Sequence, residues 1–240
     1  MPLALITGGA SLLCEGVAQS LARDGWSLAI TDLNLHGARA VAARVEGAGH
    51  VEAHALDARD IAAVQTLVLD LSQRHEAIDG LVNGAGGARG IGFQRKPFME
   101  TSQEEWESLL NSNLNTVLNV TRTVLPVMVK AGRGAIVSIA ASRGLRGGPN
   151  ASIYSAAKAG IIVFTQAIAQ EVGKYGVRIN SIAPGNAEAR WKNDDSDVRS
   201  PLGRNTNAQD VGDAVAFLLS ARAQHMTGAC LDISGGTALH

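Results

Sequence analysis

The sequence predicts an α/β fold in which one doubly wound, parallel sheet of about seven strands carries helices on both faces. Short apolar runs of strand length alternate with segments of helical period almost from end to end of the chain. The runs are apolar on both faces and rich in β-branched residues, which is typical of a parallel sheet covered on both sides. With 240 residues and no internal repeat or linker, the chain (1–240) is expected to form a single domain.

Seven apolar runs predict the strands, in order Leu3–Thr7, Ser27–Thr31, Val51–Leu56, Gly80–Asn83, Ala135–Ile139, Val177–Ile182 and Ala229–Ile233. Segments of helical period predict helices between them, at roughly 15–24, 34–48, 60–75, 103–131, 152–174 and 208–220. Right-handed crossovers would place ligands beyond the carboxyl ends of the strands. Two long polar connections, at about 86–96 and 185–200, are therefore expected to form the substrate loops.

Composition and charge exclude several classes of function. Hydrophobic residues make up 46% and charged residues 18%, as expected for a folded globular protein. A net charge of −1 gives no reason to expect nucleic acid or an anionic membrane as a partner. No apolar run approaches the ~18 residues that span a bilayer. Since the first predicted strand begins at Leu3, we expect no signal or transit peptide.

Two cysteines, Cys14 and Cys230, form neither a disulfide framework nor a metal-ligand pattern. We interpret them as reduced thiols of a cytoplasmic protein that needs no metal.

A small turn, Thr7-Gly8-Gly9-Ala10-Ser11, follows the first strand and precedes a helix. Such a turn aims backbone N–H groups and a helix N-terminus at a pyrophosphate, although a tight turn without a ligand has the same pattern. Asp32 ends the second strand, where a carboxylate accepts hydrogen bonds from adenosine ribose hydroxyls and repels a 2′-phosphate. This pattern predicts NAD, unless Asp32 merely caps the helix that starts near Asn34.

Tyr154 and Lys158 lie four residues apart, on the same face of a predicted helix. A free tyrosine, with a pKa of about 10, is a poor acid or base at neutral pH, but a nearby cation favours the phenolate. The spacing therefore indicates acid/base catalysis by Tyr154, against the alternative of an exposed helix pair.

Together these segments resemble the classical short-chain dehydrogenase/reductase family over essentially the whole chain. Further matches are Asp57, Asn83-Gly84-Ala85-Gly86, Asn180-Ser181-Ile182-Ala183-Pro184-Gly185, Pro201-Leu202-Gly203-Arg204 and Thr227-Gly228 with Ser234-Gly235-Gly236. The resemblance implies a Rossmann-type fold, NAD as cofactor, and Asn113 as a further catalytic residue whose backbone holds a water. It also implies cofactor contacts from Thr7, Gly8, Ser11, Leu12, Leu13, Asp32, Leu33, Asp57, Ala58, Asn83, Ala85, Gly86, Tyr154, Lys158, Pro184, Gly185 and Ala187.

The sequence departs from the family pattern at four positions. Leu12 and Cys14 stand where the family's phosphate turn has glycines, with Gly16 offset by two, and Ala189 replaces a usual Thr. Ala141 occupies the position, thirteen residues before Tyr154, where the family's substrate-polarising Ser stands.

Two serines near Ala141 are candidates for the missing role. We expect Ser142 to hydrogen-bond the substrate oxygen, with Ser138 as a buried strand serine. If neither serine reaches, turnover would be slow or would rely on the substrate itself.

Basic residues collect in the segments expected around the pocket, including Arg89, Arg95, Arg143 and Arg190. At least one is expected to bind an anionic group of the substrate, because a guanidinium matches a carboxylate; the alternative is a solvated rim. Trp191 is expected either to form a pocket wall or to fill a subunit contact.

The leading interpretation is an NAD-dependent alcohol dehydrogenase that interconverts a small polar secondary alcohol, a hydroxy acid or a polyol, and its ketone. The alternatives are a degenerate nucleotide-binding or scaffold protein with little turnover and an NADP-dependent carbonyl reductase. Wide apolar stripes on the two longest helices also predict a homo-oligomer, and the resemblance favours a tetramer. The stripes include Leu109, Leu114, Val117, Val120, Val124, Ile161, Val163 and Ile168.

Overall fold

The computed structural model describes residues 1–87, 92–186 and 200–238 and places their seven strands in one parallel sheet, which confirms the predicted fold class. The strand order is β3-β2-β1-β4-β5-β6-β7. The strands are β1 Leu3–Thr7, β2 Ser27–Asp32, β3 Val51–Ala55, β4 Gly80–Asn83, β5 Gly134–Ile139, β6 Val177–Pro184 and β7 Cys230–Ile233. The order reverses between β1 and β4, and ligands bind at such a switch point in doubly wound sheets.

Eight α-helices lie in the described part of the chain. They are α1 Leu12–Arg23, α2 Leu35–Ala42, α3 Ile61–Arg74, α4 Gln103–Leu110, α5 Thr116–Ala131, α6 Ser142–Arg146, α7 Ser152–Val172 and α8 Ala208–Leu219. A single π-helical turn, Asn111–Asn115, joins α4 to α5. Short 3-10 turns occur at Phe98–Glu100, Gly173–Tyr175 and Ala221–Ala223.

The sheet separates two hydrophobic layers. Helices α1, α2 and α8 pack on one face through residues such as Val17, Val41 and Val215. Helices α3, α5 and α7 pack on the other face through residues such as Val68 and Val124. The strands between them are therefore buried on both sides, which explains why their sequences are continuous apolar runs.

Gly16 and Gly212 bring α1 and α8 into close contact. A Cβ added at Gly16 would lie 2.0 Å from the carbonyl oxygen of Ala208, and one at Gly212 would lie 2.3 Å from the carbonyl oxygen of Gly16. No side chain fits between these backbones. Gly16 therefore serves helix packing and does not replace the missing glycines of the phosphate turn.

Three of the predicted helices differ from the structure, two in a boundary and one in its continuity. The helix predicted at 34–48 ends at Ala42, and Gly47 beyond it adopts a left-handed φ of +83°, which a helix does not continue. The helix predicted at 15–24 begins at Leu12, because the Ser11 hydroxyl caps it by accepting a hydrogen bond from the Cys14 N–H. The helix predicted as continuous over 103–131 is divided by the π-helical turn.

One helical stretch in the described chain, Ser152–Tyr175, has the length and apolar composition of a membrane span, with a mean hydropathy of 1.3. The same stretch packs on β6 and carries the buried Lys158, as the core helix of a globular α/β protein also would.

Candidate active site

The phosphate turn lies at the carboxyl end of β1, directly beside the turn that follows β4. The Thr7 hydroxyl accepts hydrogen bonds from the N–H groups of Gly84 and Ala85, at 3.2 and 3.3 Å. Gly8 has a φ of +67°, and a Cβ there would lie 2.6 Å from the carbonyl oxygen of Gly84. Only glycine fits at position 8, so the two turns meet backbone to backbone at the switch point of the sheet.

The first turn of α1 directs main-chain N–H groups at this edge. The N–H groups of Leu12 and Leu13 occupy positions that have no partner within a helix, and the described residues provide none. Such amides, together with the positive end of the helix, suit a pyrophosphate. The Ser11 side chain is occupied by its capping bond to Cys14, so Ser11 offers mainly its backbone.

Cys14 fits at a family glycine position because the neighbouring turn leaves room for it. Its thiol donates to the Thr7 carbonyl oxygen at 3.7 Å, and a Cβ at Gly84 would lie 2.3 Å from the Cys14 sulfur. Gly84 stands where the family turn has a second asparagine. Burial raises the pKa of the Cys14 thiol to about 11, so the group is neutral and apolar at physiological pH.

Asp32 is held at the carboxyl end of β2 by two backbone groups. Its carboxylate accepts hydrogen bonds from the N–H of Ala10 at 3.0 Å and of Asn34 at 2.8 Å. The cap of α2 is Asn34, whose side chain accepts from the Gly37 N–H at 3.0 Å. The alternative role of Asp32 as the helix cap is therefore wrong. Leu33 beside it is 66% exposed, and no cation of the described residues pairs with Asp32.

Asp57 and Ala58 follow β3 at the same edge. Arg59 forms an ion pair with Asp57 at 2.7 Å, and this hydrogen-bonded guanidinium lowers the pKa of the carboxyl. The carbonyl oxygens of Ala58 and Arg59 accept hydrogen bonds from the Asn119 side chain, at 3.2 and 3.1 Å. Neither Arg59 nor Asn119 was predicted from the sequence, since no motif spacing connects α5 to this turn.

Asn83 ends β4 with its side chain inside the protein. Its amide nitrogen donates to the hydroxyls of Thr121 at 3.0 Å and Ser138 at 3.2 Å. Its contribution to a cofactor would therefore come through the backbone. Ala85 and Gly86 follow in the turn. Gly86 has a φ of +133°, and a Cβ there would lie 2.9 Å from the Asn113 side-chain oxygen.

Asn113 lies on the π-helical turn and is fully buried. Its side-chain oxygen accepts from the Gly87 N–H at 2.7 Å, and its nitrogen donates to the carbonyl oxygen of Leu109 at 3.0 Å. These bonds tie the turn after β4 to the π-helical turn and the end of α4. A π-helical turn displaces backbone carbonyls from the regular ladder and is common at functional sites.

Tyr154 and Lys158 lie on the first two turns of α7, as predicted. The Lys158 Nζ is 5.8 Å from the centre of the Tyr154 ring and donates to the carbonyl oxygen of Ile139 at 3.0 Å. Burial lowers the pKa of Lys158 to about 8. Burial also raises the pKa of Tyr154, and the charges of Arg95 and Arg143 partly oppose that rise. The Lys158 ammonium points to the end of β5, and its effect on the phenol stays a prediction.

The two candidate serines occupy different environments. Ser138 is fully buried within β5, where its hydroxyl accepts from Asn83, so its interpretation as a strand serine is confirmed. Ala141 is the extended residue that precedes α6, and Ser142 is the first residue of that helix. The hydroxyl of Ser142 makes no hydrogen bond with the described residues and remains available to a substrate.

Pro184 ends β6, and Gly185 follows it against the C-terminal segment. A Cβ at Gly185 would lie 2.9 Å from the Ser234 backbone, which explains the glycine of this motif. Asn180 of the same motif has a structural role, since its side chain bonds to Met226 and Ala229.

The basic residues predicted for the substrate rim are only partly described. Arg95 and Arg143 lie near enough to Tyr154 for their charges to lower its pKa. Ala187, Arg89, Arg190, Trp191 and Ala189 lie outside the residues that the structure describes.

Comparison with known proteins identifies the family to which the chain is related. A family profile described as enoyl-(acyl carrier protein) reductase matches residues 8–238. The chain is 34% identical over 244 residues to the 3-oxoacyl-(acyl-carrier-protein) reductase of Chlamydia trachomatis, with 98% of this chain and 96% of the relative covered. It is 35% identical over 257 residues to the acetoacetyl-CoA reductase of Allochromatium vinosum, with 99% of each covered.

Solved structures agree with these relatives. A short-chain dehydrogenase/reductase from Mycobacterium ulcerans superposes with a TM-score of 0.92 at 25% identity, covering 100% of this chain and 90% of that one. An NAD⁺-bound xylitol dehydrogenase superposes with a TM-score of 0.88 at 25% identity, covering 98% of both chains. The full-length match to the profile and relatives, on this strand order, shows that the chain belongs to the short-chain dehydrogenase/reductase family of oxidoreductases.

Proposed function

We propose that this protein is an NAD(H)-linked oxidoreductase that interconverts a small polar secondary alcohol and its ketone. The observation that carries the cofactor choice is the position of Asp32. Its carboxylate is fixed by the N–H groups of Ala10 and Asn34 beside the phosphate turn, with lone pairs left for ribose hydroxyls. A 2′-phosphate there would meet a like charge with no described cation to balance it.

The residues present fit such a cofactor. Gly8 leaves no space for a side chain between the turns after β1 and β4, and the first amides of α1 face the same edge. Asp32 would hold the ribose, the turns after β3 and β4 the adenosine, and Pro184 and Gly185 the nicotinamide side. When bound, NAD(H) supplies the hydride acceptor or donor.

The chain's own residues would manage the proton and the substrate oxygen. Tyr154 exchanges a proton with the alcohol or ketone oxygen, and Ser142 donates a hydrogen bond to the same oxygen as negative charge develops on it. Lys158 lies within one helical turn of Tyr154 and would hold the nicotinamide ribose. Asn113 would hold a water that returns protons to Lys158.

A second candidate for the substrate comes from the relatives. Two of them are named as reductases of 3-oxoacyl and acetoacetyl thioesters, which are also ketones that become secondary alcohols. Those names favour a 3-oxoacyl thioester as the alternative substrate of the same chemistry.

The test is turnover of matched ketones and alcohols with each nicotinamide cofactor, followed by cofactor absorbance. We expect NADH-linked reduction that falls by roughly 100- to 10,000-fold in Tyr154→Phe, because that variant cannot transfer the proton. Reduction of thioesters alone would favour the second candidate. A folded protein that binds NADH but turns over no ketone would instead support the nucleotide-binding scaffold.

A further inference from the structure

We propose that Arg143, with Arg95 at the rim, forms an anion subsite of the active site, and that the substrate carries a free acid group near its reacting carbon. This inference rests on the proposed oxidoreductase function and refines its substrate class. It selects a substrate with a free acid group near the reacting carbon over a thioester whose acyl part is neutral there.

The position of Arg143 is fixed relative to the catalytic groups. Arg143 directly follows Ser142 in α6. Helix α6 packs against α7, the helix that carries Tyr154 and Lys158. A Cβ at Gly144 would lie 2.7 Å from the backbone of Lys158, so the two helices touch there. The backbone that carries Arg143 therefore lies in contact with the helix that carries Tyr154.

The turn between α6 and α7 is shaped around this guanidinium. A Cβ at Gly148 would lie 1.7 Å from the Arg143 Nη1, so the side chain lies on the bare backbone of that glycine. Gly147 and Asn150 in the same turn have φ values of 67° and 60°, in the left-handed region that glycine and asparagine adopt more readily than other residues.

Within the described residues, Arg143 has no hydrogen-bond or ion-pair partner, unlike Arg178, the other half-buried arginine there. Six arginines in the described ranges pair with an acid: Arg23, Arg44, Arg59, Arg74, Arg133 and Arg204. Arg178 is half-buried and donates to three carbonyl oxygens at the end of α8. Arg143 alone among the described arginines is half-buried with neither an ion pair nor a hydrogen bond.

The electrostatics of this arrangement call for an anion. Burial and the like charge of Arg95 both lower the pKa of Arg143, and the nearby Tyr154 opposes this only in part, so the charged form is held in an unfavourable setting. A carboxylate would offset both effects, and the planar guanidinium fork matches its two oxygens. A neutral thioester carbonyl would leave the charge uncompensated.

The probes are 2-oxobutanoate, 3-oxobutanoate and 4-oxopentanoate, each compared with its methyl ester, and the N-acetylcysteamine thioester of 3-oxobutanoate. Binding to the NAD⁺-loaded protein is measured by calorimetry, since a ketone cannot react with the oxidised cofactor. Turnover with NADH is measured separately. We expect at least one acid to bind more tightly and to react faster than its ester.

Arg143→Met should reduce kcat/KM for that acid by roughly 10- to 1,000-fold and leave the ester unchanged. Gly148→Ala should produce part of the same loss, because its methyl group displaces the guanidinium. The matched control is Arg146→Ala, which removes the same charge from an exposed position of the same helix and should have little effect. Unchanged NADH binding and thermal midpoint would show that each variant is folded.

The proposal is overturned if no acid binds better than its ester, or if Arg143→Met affects acid and ester equally. Failure of the oxidoreductase function gives a different result, in which an acid binds in an Arg143-dependent manner without turnover. Turnover of esters and thioesters with no dependence on Arg143 would retain the function and remove the subsite.

Discussion

Burial sets the chemistry of Lys158. Its ammonium lies in the interior at the end of β5, where the Ile139 carbonyl oxygen is its one hydrogen-bond acceptor in the described chain. The charged form is therefore disfavoured, and the pKa falls to about 8. At physiological pH the side chain is poised between its two forms, which suits a group that passes protons.

This lowered pKa predicts a pH dependence of stability. Above about pH 8 the folded protein releases the Lys158 proton, while the unfolded chain keeps it up to about pH 10.4. The free energy of unfolding of the cofactor-free protein should therefore gain a contribution on the order of 1–3 kcal/mol across this interval. Urea unfolding at several pH values, for the wild type and Lys158→Met, measures it.

The comparison with Lys158→Met is needed because Cys14 acts in the opposite direction. Its raised pKa means that the unfolded chain loses the thiol proton first, which lowers stability as pH rises through the same range. A difference between wild type and variant that does not grow with pH would contradict the account of Lys158.

The two serines predict separate effects of substitution. Ser142→Ala should lower kcat by ~100-fold with NADH affinity unchanged, because the hydroxyl would act only on the reacting oxygen. Ser138→Ala should instead lower the thermal midpoint, since it removes the partner of the buried Asn83 amide. Steady-state kinetics and thermal unfolding of both variants test this, and a reversed pattern would transfer the role to Ser138.

For single residues, spacing along the chain predicted the positions of those candidate site residues that belong to one helix or one strand. Tyr154 and Lys158 share a helix, and Asp32 ends a strand, so their positions followed from sequence alone. The hydrogen-bond partner of Lys158 was not predictable, because Lys158 lies on α7 and Ile139 on the separate strand β5. The sequence also did not predict that Arg143 is half-buried while Arg146 is exposed. That difference depends on the glycine turn after α6, where Gly148 leaves room for the Arg143 guanidinium.

At the scale of elements, contacts between helix backbones explain glycines that no motif accounts for. Gly16 and Gly212 allow the N-terminus of α8 to lie on α1, behind the phosphate turn. This contact holds α1 in place, and the amides of its first turn point at the cofactor edge as a result.

Gly16→Ala should therefore destabilise the protein by about 1–3 kcal/mol, because a methyl group would meet the Ala208 carbonyl oxygen. NADH affinity should fall as well, since α1 must shift. Gly173→Ala is the control: it ends α7 with an ordinary φ and open space around it. Urea unfolding that finds the two variants equally stable would refute the close contact.

Helical periodicity predicted the existence of the elements better than their ends or interruptions. The pattern over 103–131 continues unbroken, yet the structure inserts a π-helical turn around Asn113. Asn113 in this turn makes hydrogen bonds with Gly87, and such tertiary contacts are not visible in a periodic pattern. The short helix α6 was missed because its five residues have no recognisable period.

At the scale of the whole molecule, alternation of apolar runs was sufficient to predict the sheet, whereas the predicted subunit contact needs correction. Most of the residues first offered for it are buried within the protomer, including Leu109, Val117, Val120, Val124 and Ile161. The structure instead leaves an apolar groove between α5 and α7, lined by Leu118, Thr121, Arg122, Leu125, Pro126, Val129, Phe164 and Ile168. Val163 beside it is 61% exposed.

We predict that this groove pairs with a second copy in a symmetric homo-oligomer, as a tetramer or a smaller assembly. Light scattering at micromolar concentration should give a mass above that of one chain. The double variant Val163→Lys/Phe164→Lys should reduce the mass, because two charges would be buried at the contact. A monomeric wild type would contradict the prediction.

The central claim, an NAD-linked oxidoreductase, is tested most directly by thermal unfolding of the wild-type protein with increasing NADH and NADPH. A ligand at 100 times its Kd stabilises the folded state by about 2.7 kcal/mol. We predict a saturable rise in the midpoint with NADH and a much smaller rise with NADPH, because Asp32 repels the 2′-phosphate. An equal or larger rise with NADPH, or no rise with either cofactor, would contradict the account.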